Sequence, residues 1–125
     1  MISRRTPKRR EIWHMPAVRN ATGTEIQGAR FVVVLSDAVQ LYGSETVCVA
    51  VITQGGQGPR NRNLTVSLQN IPHITTQGVV LCHAVRYVDL NAAGASFKET
   101  VPAYLIDEIL KKIVLLFHID SSHIP

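Results

Sequence analysis

Apolar residues come in short runs along most of this chain and shift to a helical spacing only near its end. Residues 31–35, Phe-Val-Val-Val-Leu, form an unbroken β-branched run, the pattern of a strand buried on both faces. Residues 46–53, Thr-Val-Cys-Val-Ala-Val-Ile-Thr, give the clearest strand signal. Residues 64–68 alternate apolar and polar, so one face of that strand is buried. Residues 11–18, which carry Trp13, and residues 78–90, with a bend midway, complete the predicted strands. Ser36 and Asp37 suit the cap of a short helix reaching about Leu41. Beyond residue 101 the spacing changes. Leu105, Ile106, Ile109, Leu110, Ile113, Leu116 and Phe117 share one helical face, which predicts a helix from 101 or 102 to about 117. Pro102 fits its first turn, and Lys111 and Lys112 lie toward the C-terminal end that favours cations. Several short strands followed by one helix predict a mainly β, α+β fold: a small, strongly curved sheet or barrel with a helix packed on it.

The connections are polar. Residues 19–29 form a Gly-punctuated loop longer than a hairpin needs, and long loops in compact domains tend to carry function. Residues 54–63 are rich in Gly, Pro, Asn and Arg, and residues 91–98 are small and polar. The expected organisation is a flexible basic arm over 1–9, one domain over 10–118 and a tail over 119–125. A chain of 125 residues suits one domain. No apolar run approaches the roughly 20 residues of a membrane span, and none follows the basic N-terminus as in a secretory signal.

Charge narrows the choice of partners. Thirteen Lys and Arg stand against nine Asp and Glu, a net charge of +4. Most of the cations are Arg, whose planar fork matches phosphate oxygens. A polyanion is implied: nucleic acid, an acidic protein segment, or both. Cys48 and Cys82 each sit in an apolar run and read as buried thiols of a reducing compartment. The five histidines, His14, His73, His83, His118 and His123, show no metal-ligand spacing, and no phosphate-binding Gly loop or nucleophile elbow occurs. Neither a metal nor a cofactor is expected.

Three segments break the apolar pattern with chemistry-bearing residues. Residues 23–30 place Glu25 and Arg30 where a loop meets the 31–35 strand. Thr53, Gln54, Gly55 and Gly56 end one strand and open a basic loop that carries Arg60 and Arg62. Residues 81–86 set His83 and Arg86 in a strand that is otherwise apolar, where a buried polar group must find partners. With Arg9-Arg10-Glu11-Ile12-Trp13 at the start and Asp107-Glu108-Ile109-Leu110 in the helix, these segments follow one another in a familiar order. The chain resembles the MazF/PemK family of toxin endoribonucleases over roughly residues 8–117. It departs from that pattern at Arg10, where the family carries Gly, at Phe31 and Val51, where it carries Pro, and at Leu81 and Ala84, where Arg (in the Kid type) and Gln stand.

The resemblance implies a small SH3-like β-barrel, a homodimer, in the bacterial cytoplasm, and an acidic antitoxin as partner. It implies cleavage of single-stranded mRNA at short preferred sequences, without a metal. The ribose 2′-hydroxyl attacks the adjacent phosphate and leaves 2′,3′-cyclic phosphate and 5′-hydroxyl ends. Such a reaction needs a base, an acid and cations on the phosphorane. By position, Arg30 would stabilise that charge and Thr53 would hold the scissile phosphate. Glu25 would act as base or position Arg30. His83, at the place of an acidic residue in Kid-type members, would be a further base, since imidazole exchanges its proton near neutrality. Gln54, Arg60, Arg62 and Arg86 would hold the RNA strand. Two alternatives stay open on the same fold: a catalytically weak member, and a gyrase poison of the CcdB kind.

Overall fold

The computed structural model describes residues 5–19, 25–27, 29–54 and 64–117, with the backbone alone for 18–19 and 25–27. Among the described residues, nine strands and one helix follow in order: β1 Glu11–Met15, β2 Val18–Arg19, β3 Glu25–Gln27, β4 Arg30–Val34, β5 Val39–Leu41, β6 Ser44–Thr53, β7 Thr65–Ser67, β8 Val79–Val88, β9 Ser96–Thr100 and α1 Ala103–Phe117. Strands β7-β8-β6-β4-β1-β9 pair in that order, with β5 on β6. Every pairing in this sheet is antiparallel.

The long apolar runs bury both faces of the sheet. On one side Ile12, Val33, Ala50, Ile52 and Val80 meet Leu105, Ile106 and Ile109 of α1. On the other, Trp13, Val32, Val34, Val47 and Val49 close on Leu90, with Phe97 against them. Full burial of a side chain of this size contributes about 1.5–3 kcal/mol. The sheet therefore curls around one core while the helix covers the other, a half-barrel with one C-terminal helix.

Four expectations change. The segment predicted as a helix to Leu41 is strand β5, because the Ser36 hydroxyl accepts the Cys48 N–H at 2.9 Å instead of capping a helix. The polar stretch 91–98 ends in β9, an edge strand of Ser-Phe-Lys-Glu-Thr pinned to β1 on one side. The first strand stops at Met15, and its continuation, β2, pairs with β3 inside the expected 19–29 loop. Leu116 and Phe117, expected on the buried helical face, are exposed.

Residues 5–9, expected within a basic arm, lie against the sheet. The buried Glu11 carboxylate accepts from Arg5 Nη2 at 2.6 Å, Lys8 N at 2.9 Å and Trp13 Nε1 at 3.1 Å. The Arg5 guanidinium also stacks 3.7 Å from the Phe97 ring centre. Burial pushes the Glu11 carboxyl up, but Arg5, the Lys8 N–H and the Trp13 N–H outweigh it and hold the group below its ordinary value.

Candidate active site at the β4–β6 end of the sheet

Strand periodicity carries Arg30 and Thr53 to one place. Side chains alternate faces, so Arg30 shares a face with Val32 and Val34, and Thr53 with Val47, Val49 and Val51. In the β4–β6 register Phe31 stands opposite Ile52. One further step along that register sets Arg30 against Thr53, at the end where the apolar run stops.

A cavity of about 350 Å³ opens there, lined by Arg30, Phe31, Thr53, Gln54 and Leu81 among others. Arg30 Nε is buried and has no hydrogen-bond partner among the described residues. A buried donor left unpaired costs about 1–3 kcal/mol, more when charged. An anion in the cavity would supply the acceptor, and a guanidinium takes phosphate oxygens two at a time.

Gly78 fixes the position of Thr53. The first residue of β8, Val79, pairs with Thr53. Gly78 precedes it at φ +118°, and a Cβ there would lie 2.3 Å from the Thr53 carbonyl oxygen. Only glycine permits that approach.

Phe31 stands where the resemblance predicts proline. Its ring meets His14 edge-on, with centroids 5.0 Å apart. The Lys98 ammonium lies 4.3 Å from the same ring centre. Phe31 thus gathers a cation and an imidazole around its own ring, against the helix-side core, and neither His14 nor Lys98 lines the cavity. These contacts leave no mark in the sequence, because His14 and Lys98 sit on β1 and β9, far from each other in the chain, and β9 carries little apolar signal.

Of the other expected site residues, His83 and Arg86 fall elsewhere. Val51 pairs with Leu81, yet Ala50 pairs with Val85, so Cys82, His83 and Ala84 form a bulge in β8. Within it Cys82 turns inward, its N–H donating to the Leu64 carbonyl at 2.8 Å, while His83 faces solvent two residues from Leu81. His83 does not line the Arg30 cavity. Arg86, opposite Val49, is exposed about four residues along the sheet from Thr53. Glu25 opens β3, with only its backbone described. Arg60 and Arg62 lie outside the described residues. Burial raises both thiols, Cys48 and Cys82, away from the reactive thiolate form.

The sequence profile of the PemK-like, MazF-like toxins of type II toxin–antitoxin systems matches residues 8–117, which span β1 to the end of α1. The chain belongs to this family. It is 32% identical over 106 residues to the endoribonuclease PemK of Escherichia coli, covering 85% of this chain and 78% of that protein. The fold is similar to MazF of Deinococcus radiodurans, solved alone, with a TM-score of 0.72 at 23% identity, covering 93% of this chain and 100% of the other. In a MazE–MazF complex from the same organism the TM-score is 0.73 at 22% identity, with the same coverage. A mycobacterial endoribonuclease bound to its cognate antitoxin aligns with a TM-score of 0.66 at 13% identity, over 91% of this chain and 97% of that one.

Proposed function

We propose that this toxin is an endoribonuclease that cuts single-stranded mRNA in the cavity between Arg30 and Thr53. The buried Arg30 Nε, without an acceptor among the described residues and on the lining of that cavity, carries the reading. In the proposed reaction the 2′-hydroxyl loses its proton to a base and attacks phosphorus. The bond to the 5′ oxygen then breaks and that oxygen is protonated, leaving a 2′,3′-cyclic phosphate and a 5′-hydroxyl.

Arg30 neutralises the extra charge on the phosphorane, and the Thr53 hydroxyl donates to a non-bridging oxygen. Glu25, from the β2–β3 ribbon, serves as base or orients Arg30. His83 is the second candidate base, and its place outside the cavity means that RNA must reach across Leu81 to meet it. Gln54 touches the strand inside the cavity, while Arg60, Arg62 and Arg86 steer its backbone.

The same basic surface suits an acidic antitoxin segment that occludes the site, as charge complementarity favours the encounter. The toxin acts as a homodimer in the bacterial cytoplasm. Tyr104, Val114, Leu115 and Phe117 stand exposed on α1, an apolar surface that supports a second copy as its cover. Among the described residues no helix is long and apolar enough to cross a membrane.

Incubation of the purified protein with a long single-stranded RNA in EDTA, followed by mass analysis of the fragment ends, tests the activity. Discrete fragments with cyclic-phosphate ends are expected, and a 2′-deoxy substitution at the cut site should abolish its cleavage. Intact RNA, or fragments ending in 5′-phosphate, would refute the reading.

A further inference from the structure

We propose that a second cavity, across the start of β8 from Thr53, receives a nucleobase beside the scissile phosphate and selects the sequence that is cut. This rests on the endoribonuclease reading above. The cavity measures about 540 Å³. Leu68, Ile74 and Val79 give it apolar surface, and the amides of Gln69, Asn70 and Gln77 stand around it. Among the described residues that line it, none is charged.

That composition separates it from the Arg30 cavity. A phosphate site needs a cation or converging N–H groups. A base site needs an apolar surface for the ring face and paired donors and acceptors for its edge. A side-chain amide offers one donor group and one acceptor in a plane, the arrangement that pairs with a base edge. Gln69, Asn70 and Gln77 are exposed, and their amides make no hydrogen bond among the described residues.

The walls are already formed. The Leu68 N–H donates to the Gly78 carbonyl at 3.0 Å and closes the 69–77 loop at its base. Inside the loop Ile71 N donates to Leu68 O and Ile74 N to Ile71 O. Asn70 and His73 both take left-handed backbone at φ +66°. The Glu99 carboxylate on β9 accepts from Thr75 N at 3.0 Å and Thr76 N at 2.7 Å, and from both hydroxyls. A loop held this way loses little freedom when a ligand enters.

Its position suits the strand that Arg30 would hold. Ser67, Val79 and Thr53 lie side by side across β7, β8 and β6. Two strand spacings put the cavity roughly 10 Å from Thr53. Gly78 lines the cavity and presses on Thr53 with no side chain between.

The test compares the wild type with an Asn70→Ala, Gln77→Ala double variant, whose side chains are exposed and can be removed without opening the core. Cleavage sites are mapped in a random-sequence single-stranded RNA pool. Affinities are measured for 2′-O-methyl oligoribonucleotides that cannot be cut. The wild type should prefer one base at a position flanking the cut, and the variant should lose that preference by about tenfold, as for loss of a base-edge contact. A variant that keeps the preference, or that loses cleavage at every sequence alike, would overturn the proposal. Base-selective binding that the variant loses, without cleavage by the wild type, would support the cavity and refute the endoribonuclease reading instead. A wild type with no base preference in either measurement would overturn it.

Discussion

Two residues show how local chemistry sets the site and its frame. Arg10 holds φ +84°, a conformation that costs a non-glycine residue about 1–2 kcal/mol. Its Nε donates to the Val101 carbonyl at 2.9 Å, and its own backbone bonds Val34 and Val101. The side chain thus offsets the strain that the family's glycine avoids. Arg10→Gly is expected to stay within about 1 kcal/mol of the wild type, and Arg10→Ala to lose about 1 kcal/mol more, since it keeps the strain without the bond. Urea unfolding of the two variants checks this order; an alanine variant more stable than the glycine variant would refute it. Thr53→Val keeps the shape of the β-branched side chain and removes only the hydroxyl. It should lower the cleavage rate about 10- to 100-fold and leave the melting temperature near that of the wild type. Single-turnover kinetics beside thermal unfolding separates the two effects.

At the scale of elements, legibility in the sequence followed burial. Continuous apolar runs announced β4 and β6, and the 3.6-residue spacing announced α1, because each must bury a wide face. β9 has Phe97 alone as apolar signal and takes its conformation from pairing with β1, which no local pattern reveals. β5 was hidden because Ser36 looks like a helix cap until the Cys48 N–H claims it. Arg30, Thr53 and Gln54 were legible as a group, since each stands where an apolar run ends, and the β4–β6 register joins those ends. His83 read as part of the same group because it breaks an apolar run and stands where Kid-type members carry an acidic residue. The three-residue bulge displaces it, and a bulge leaves no mark in hydropathy. Gly78 is the joint between β8 and β6. Gly78→Ala adds a methyl against the Thr53 carbonyl at a positive φ. It should destabilise the fold by about 2 kcal/mol or more and reduce cleavage through Thr53. A variant with wild-type stability and activity would show that β8 can move away freely.

Over the whole molecule, two carboxylates bind the ends of the sheet together. Glu11 ties Arg5 and Lys8 to β1, and Glu99 ties the 75–76 segment to β9. Burial pushes Glu99 up, but the Thr76 and Thr75 hydroxyls and N–H groups outweigh it, so both carboxyls ionise below their ordinary 4.5. A depressed folded-state value means stability that is present above pH 4.5 and lost as pH falls through the lower folded values. The melting temperature should therefore hold between neutrality and about pH 5.5 and drop below the carboxylate range. A Glu11→Gln, Glu99→Gln variant should start lower and show a flatter acid limb, and an unchanged limb would assign the acid loss to other groups.

The central claim is that RNA is cut where Arg30 and Thr53 meet at the end of the sheet. Its most direct test is cleavage of single-stranded RNA by Arg30→Ala beside the wild type in EDTA, with both proteins shown to be folded by their melting curves. The account predicts a rate at least about 100-fold lower in the variant, at unchanged cut sites. A folded Arg30→Ala variant that cuts at the wild-type rate would place the chemistry elsewhere and contradict it.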